Sequence, residues 1–177
     1  MQLDGKRIAF LATDGVEEAE YVEPRDAVEK AGGRAELISI KSGSIQSMAH
    51  NDKSKTYPVD REVGAADPGD YDGLVLPGGV GNPDKLRMNA GAVAFVKAFA
   101  DAGKPIGVIC HGPWTLIEAG VVRGRTLTSY PSVRTDLINA GADWVDEEVH
   151  VDGNLISSRR PGDIPAFTKT IIEKFAN

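Results

Sequence analysis

Short apolar runs alternate along the chain with stretches of helical periodicity. Four runs read as strands: residues 7–12, 34–40, 71–76 and 105–109. The last two are apolar nearly throughout, as expected of parallel strands covered on both faces. Between them the pattern predicts a helix. Asn89 is placed to cap its start, Val93, Phe95, Val96 and Phe99 supply an apolar face, and Gly103 ends it. A second helix is expected from about Ser132 to Ala140, stopped by Gly141. A third starts near Asp163 and carries Ile164, Phe167, Ile171 and Phe175 at helical spacing. Val145–Ser157, with Asp152-Gly153-Asn154 inside an apolar alternation, reads as a β-hairpin. Residues 41–70 break the pattern, with a small hairpin at 45–58 and a loop over Val63–Asp70. The β-α-β-α order predicts one α/β domain over residues 1–177, built on a doubly wound parallel sheet.

Composition narrows the partners. Lys+Arg is 20 against Asp+Glu 26, a formal net charge of −6, which argues against a nucleic-acid binder working by bulk electrostatics. No His/Cys spacing points to a metal, and no motif to a cofactor. One cysteine cannot form an internal disulfide, so a reducing compartment fits. The apolar stretch Ile8–Ala12 is too short for a signal-peptide core, and no run is long enough to span a membrane. These features predict a cytoplasmic, soluble protein with no membrane partner.

Candidate chemistry sits where open α/β sheets bind ligands, beyond the carboxyl ends of the strands. Three loops reach that edge: Thr13–Glu20, Pro77–Gly81, and the turn that carries Cys110. Cys110 ends an apolar run and is followed by His111, Gly112 and a helix-like segment, a strand-to-helix elbow that lifts a thiol toward solvent. A helix N-terminus there would favour thiolate, so a depressed pKa is expected. His111 can line the same pocket, and its backbone N–H can serve an oxyanion. Gly78 and Gly79 form either a plain tight turn or a second source of such N–H groups. The acidic run holds Glu17, Glu18, Glu20 and Glu23, and spacing does not say which of them approaches the thiol. Trp114 reads as pocket wall or core, and Tyr130 as within or just outside reach of the site. Arg159-Arg160 read as a solvated pair, and His50 and His150 as surface residues.

Taken together, Gly15–Glu20, Leu76-Pro77-Gly78-Gly79, Val108–Trp114, Thr128–Ser132 and Ser157–Pro161 resemble the PfpI family of intracellular peptidases, general stress proteins and deglycases, in the superfamily of the parkinsonism-associated deglycase. The resemblance runs from about residue 6 to 175. It implies a flavodoxin-like sandwich similar to class I glutamine amidotransferase domains. It implies Cys110 as nucleophile, His111 as its partner, and Glu20 as the buried glutamate against the thiol. Gly79 and the His111 backbone would form the oxyanion hole. Asp84 would be the acid that reaches His111 from a neighbouring subunit of a dimer or hexamer, although many relatives carry glutamate there.

The motifs leave the reaction open. A glutaminase needs a His-x-Glu pair downstream of the cysteine, whereas His150 is followed by Val151-Asp152. Three readings remain: a hydrolase acting on reactive dicarbonyls or their early adducts, a cysteine peptidase, and a non-catalytic redox-sensing or chaperone-like stress protein with an oxidisable Cys110. The partner is accordingly a small carbonyl compound or a protein substrate.

Overall fold

A computed structural model describes residues 1–177. The chain forms β1 (Arg7–Leu11), β2 (Val16–Glu17), α1 (Glu18–Lys30), β3 (Arg34–Ser39), β4 (Ser44–Ala49), β5 (Asp52–Pro58), β6 (Arg61–Glu62), β7 (Gly73–Leu76), α2 (Gly81–Leu86), α3 (Ala90–Asp101), β8 (Ile106–Ile109), α4 (Pro113–Glu118), β9 (Thr126–Leu127), α5 (Arg134–Asn139), β10 (Asp143–Trp144), β11 (Val149–Asp152), β12 (Leu155–Ser158) and α6 (Ile164–Phe175). The main sheet has seven strands in the order β11-β12-β8-β7-β1-β3-β6, all parallel except β11.

Side chains on successive strand residues point to opposite faces, and both faces are covered. Ile8, Phe10, Val75, Ile109 and Ile156 pack with Val28 of α1 and with Ile164, Phe167, Ile171 and Phe175 of α6. Ala9, Leu11, Leu74, Leu76, Ile106 and Val108 pack with Phe95 and Phe99 of α3, Leu116 of α4 and Leu137 of α5. The result is a flavodoxin-like α/β sandwich. From β1 the chain crosses to β3 on one side, while β7, β8 and β12 follow on the other, so the winding reverses between β1 and β7. That reversal opens a crevice beyond the strand ends.

Several elements depart from the sequence pattern. The pattern does not announce α1, because its buried residues are Glu20, Tyr21, Pro24 and Val28, only one of them aliphatic. The helix expected over 132–140 is a 3-10 turn at Pro131–Val133 followed by α5. The late hairpin pairs only Val149–Asp152 with Leu155–Ser158, and Asp143–Trp144 pairs instead with Thr126–Leu127. The hairpin expected at 45–58 is present as β4 and β5, which join β2 in a separate three-stranded sheet. A small core of Ala12, Val16, Tyr21, Leu37 and Ile45 holds that sheet on the body of the molecule. No helix is long and apolar enough to cross a membrane.

Candidate active site

Three neighbouring strands deliver the candidate residues to one point. After β8, Cys110 adopts φ +63°, a left-handed conformation that costs a non-glycine residue energy. The elbow is held from both sides: Cys110 N–H donates to Ser158 O (3.1 Å), and Cys110 O accepts from Tyr130 N–H (2.9 Å). After β7, Gly78 and Gly79 pass so close that side chains are excluded. A Cβ on Gly78 would lie 2.5 Å from Glu20 Oε1 and 2.7 Å from Cys110 Cβ. Gly79 has φ +77°, and a Cβ there would run into Gly15 O. After β1, the first turn of α1 brings in Glu20, whose Oε1 accepts from Gly78 N–H at 2.9 Å.

Asn82 locks this arrangement, although no motif of the sequence marks it. It is fully buried, accepts from Thr13 N–H (2.8 Å), and donates to Pro77 O (3.1 Å) and Gly78 O (3.0 Å). The loops after β1 and β7 are thereby tied together through one amide. Its place at the second residue of a short helix, between Gly81 and Pro83, gives no sequence signal of that role.

The electrostatics revolve around burial. Glu20 is 0% exposed, and its Oε2 has no hydrogen-bond partner. Burial first, and the charge of Glu17 second, push its carboxyl up to about 8, against the opposing pull of the Gly78 N–H. Glu20 therefore keeps its proton at neutral pH. Cys110 is 7% exposed, and burial first, then the charge on Glu20 once it ionises, push its thiol up as well. This corrects the depressed pKa expected from the sequence. The helix behind the elbow is only the six residues Pro113–Glu118, and desolvation outweighs the N–H groups of His111 and Gly79 that bear on the sulfur. Those two N–H groups are the donors available to a negative charge formed at this position.

His111 lies beside the sulfur, with Nδ1 3.1 Å from Sγ. Burial lowers its pKa, so the ring is neutral at pH 7. The ring stacks on Tyr130 (centroids 4.8 Å, 23°), meets the edge of Trp114 (5.1 Å), and shares a hydrogen bond with Ser132 Oγ through Nε2 (3.2 Å). Ser132, like Asn82, was not picked out from the sequence as a site residue.

The structure thus brings together Cys110, His111, Glu20, Gly78, Gly79 and Tyr130. All but Gly78 line an open cleft of about 1080 Å³, with Gly78 wedged beneath it between Glu20 and Cys110. Two candidates lie elsewhere. Trp114 lies outside that cleft, with Arg87 over its ring (4.3 Å) and its Nε1–H donating to Asp136 (2.9 Å). Asp84 is exposed on α2 and pairs with Arg87 (2.6 Å), so it does not reach His111 within the chain. His50 is exposed but lines the cleft rim, and Arg160 lines the cleft wall.

With this geometry in place, comparison with known proteins gives a consistent result. The model of the DJ-1/PfpI family matches residues 6–174. A deglycase of Pyrococcus abyssi is 42% identical over 167 residues, covering 94% of this chain and 98% of the relative. General stress protein 18 of Bacillus subtilis is 41% identical over 166 residues, covering 93% of this chain and 95% of the relative. Among solved structures, Drosophila melanogaster DJ-1beta superimposes with a TM-score of 0.88 at 29% identity, covering 97% of this chain and 90% of that one.

Proposed function

The chain belongs to the DJ-1/PfpI family, and from that premise we propose that it is a stress-response hydrolase that uses Cys110 to convert reactive dicarbonyls, or their early adducts with amines and thiols, into hydroxy acids. The observation that carries this reading is the buried Glu20 held against Cys110 across Gly78, with the N–H groups of Gly79 and His111 bearing on the sulfur, at the floor of an open cleft. The two groups titrate together. Because burial raises the thiol further than the carboxyl, the reactive species is the minor tautomer of the monoanion, in which Glu20 keeps the proton and sulfur carries the charge.

For methylglyoxal, the thiolate adds to the aldehyde carbon, and the new alkoxide lies at the Gly79 and His111 N–H groups and takes a proton from Glu20. The resulting Glu20 carboxylate, or neutral His111, removes the proton from the former aldehyde carbon. That proton is delivered to the adjacent carbon, and the hydroxyl proton of the first carbon passes to the oxygen of the second, so the first carbon is oxidised to a thioester as the second is reduced to a carbinol. Water then cleaves the thioester, releasing lactate and restoring the thiol. No external oxidant or reductant enters. From an amine or thiol adduct the same sequence expels the amine or thiol when sulfur displaces it.

The Nδ1–Sγ distance of 3.1 Å also favours a second reading, a cysteine peptidase in which neutral His111 takes the thiol proton. The products separate the two. Lactate from methylglyoxal and glycolate from glyoxal, formed in amine-free buffer by wild type and not by Cys110→Ala, supports the dicarbonyl enzyme. Loss of substrate without hydroxy acid overturns it. Cys110-dependent cleavage of a fluorogenic peptide identifies the peptidase. From the family resemblance we further propose that Asp84 of a neighbouring copy reaches His111. Sedimentation of wild type and Asp84→Ala beside their activities tests that assignment, and an Asp84→Ala protein of full activity sinks it. We propose a reducing compartment such as the cytoplasm, a reading supported by a single cysteine that has no second one in the chain to pair with.

A further inference from the structure

The two adjacent arginines after β12 behave differently. Arg159 is fully engaged: its guanidinium pairs with Asp163 (2.8 and 3.2 Å) and with Asp146 (2.8 Å). Arg160, in extended backbone (φ −164°, ψ 170°), turns the other way and lines the wall of the Cys110 cleft. It takes part in no ion pair of the chain, and its Nε is buried with no hydrogen-bond partner. A buried donor of this kind is costly unless something accepts from it.

The other charges of the cleft do not supply an acceptor. Asp14 accepts from Gln46 N–H (2.8 Å) and pairs with Lys41 (3.2 Å), Glu17 accepts from His50 N–H (3.1 and 3.2 Å), and Glu20 holds its proton. On the cationic side, Lys53 and Lys85 also line the cleft. With Asp14 paired to Lys41 and Glu20 protonated, the cations Lys53, Lys85 and Arg160 face Glu17 as the one carboxylate without a lysine or arginine partner, so the cleft carries an excess of positive charge in an otherwise acidic protein of net charge −6. Position matters as much as charge. Ser158 O accepts from Cys110 N–H, and Arg160 follows two residues later, about 7 Å along an extended chain.

We propose that Arg160 is the specificity residue of this cleft and binds an anionic group, a carboxylate or phosphate, on the substrate whose carbonyl sits at Cys110. A planar guanidinium suits this role because it can offer two parallel N–H bonds to either oxyanion, which an ammonium cannot. The proposal deepens the hydrolase reading by naming its substrate class: dicarbonyl adducts carried on acidic small molecules or on phosphorylated ones.

The test uses the only thiol of the chain and needs no turnover, so it stands or falls separately from the hydrolase reading. Alkylation of Cys110 is followed with iodoacetate and with its neutral counterpart iodoacetamide, in wild type, Arg160→Gln and Arg160→Lys. The iodoacetate-to-iodoacetamide rate ratio is expected to fall about tenfold in Arg160→Gln and to recover only partly in Arg160→Lys. Acetate and inorganic phosphate are then added as competitors. Each is expected to slow the iodoacetate reaction of wild type more than that of Arg160→Gln, and the one effective at lower concentration identifies the group as carboxylate or phosphate. An unchanged ratio, an equal fall in Lys53→Gln and Lys85→Gln, or protection by neither anion overturns the proposal.

Discussion

Glu20 and Glu36 are both buried, 0% and 3% exposed, and their carboxyls are driven in opposite directions. Glu36, toward the amino ends of the strands, is met by Arg7 (2.7 Å), Arg34 (3.1 Å), Arg61 (3.2 Å) and the Tyr71 hydroxyl (2.8 Å). Burial pushes its pKa up, but the hydrogen bonds from Arg7 and Tyr71 and the charges of Arg7 and Arg34 outweigh it, and the carboxyl lies below its ordinary value. Glu20, at the carboxyl ends, has one backbone N–H on one oxygen and nothing on the other. Burial first, and the charge of another carboxylate, Glu17, second, raise its pKa to about 8. Both carboxyls are shielded from water, but Glu20 lies deep while Glu36 is covered by arginines that reach solvent, so depth and partners together decide the outcome. Where the fold supplies cations, a buried acid stiffens the sheet; where it withholds them, the acid keeps a proton for use.

The comparison can be broken most sharply through activity. Glu20→Gln keeps the shape and one acceptor oxygen but removes the transferable proton. We expect hydroxy-acid formation to fall by about 10²-fold or more, with no loss of stability at neutral pH in urea melts. If Glu20→Gln unfolds the protein instead, the contrast between the two sites collapses. Glu36→Gln should do the reverse. It leaves three arginines facing a neutral amide, and should cost about 3 kcal/mol in urea unfolding while folded protein turns over substrate at the wild-type rate.

A pH series sharpens the same contrast. Glu20 has a folded pKa above its ordinary 4.5, so the folded state holds the proton longer than the unfolded chain. Its stabilisation is complete below about 4.5 and is lost as pH rises through about 8. Glu36 has a lowered folded pKa, so its contribution is present above about 4.5 and is lost as pH falls through the folded value. Urea midpoints of wild type minus each Gln variant, measured from about pH 3 to 9, should therefore fall with pH between about 4.5 and 8 for Glu20 and rise with pH only below about 4.5 for Glu36; a fall with pH at Glu36 or a rise at Glu20 would refute the assignment. The smallest effects lie among the partners of Glu36. Tyr71→Phe removes one bond to a charged acceptor and should cost about 1–2 kcal/mol. Arg34→Ala, at a side chain 71% exposed, should change stability by less than about 0.5 kcal/mol. A larger loss at Arg34 than at Tyr71 would show that charge rather than the hydroxyl secures Glu36.

Much of the architecture is legible in the chain because the central strands are apolar on both faces and α3 and α6 carry regular apolar stripes. Helix α1 is not, since what it buries is a glutamate, a tyrosine, a proline and a single valine. Cys110 stands out as the only thiol at the end of such a strand. Glu20 does not stand out among four neighbouring carboxylates, because its difference lies in contacts with Gly78 and Cys110 that are remote in sequence. The thiol's raised pKa is likewise invisible beforehand, since it depends on how deeply the elbow is covered. Arg159 and Arg160 look alike on paper, and only the alternation of an extended backbone separates the engaged one from the free one.

The small sheet of β2, β4 and β5 has a consequence of a different kind. Its hairpin contributes Gln46, Met48, His50, Asn51 and Lys53 to the rim of the cleft, yet forms no strand of the main sheet. Much of the surface that greets a ligand is therefore inherited on a stretch of chain separate from the reacting groups. Substitutions in the hairpin can accumulate over generations without disturbing the elbow. Divergence in what such proteins accept can thus proceed by changing the doorway while the workshop behind it stays the same.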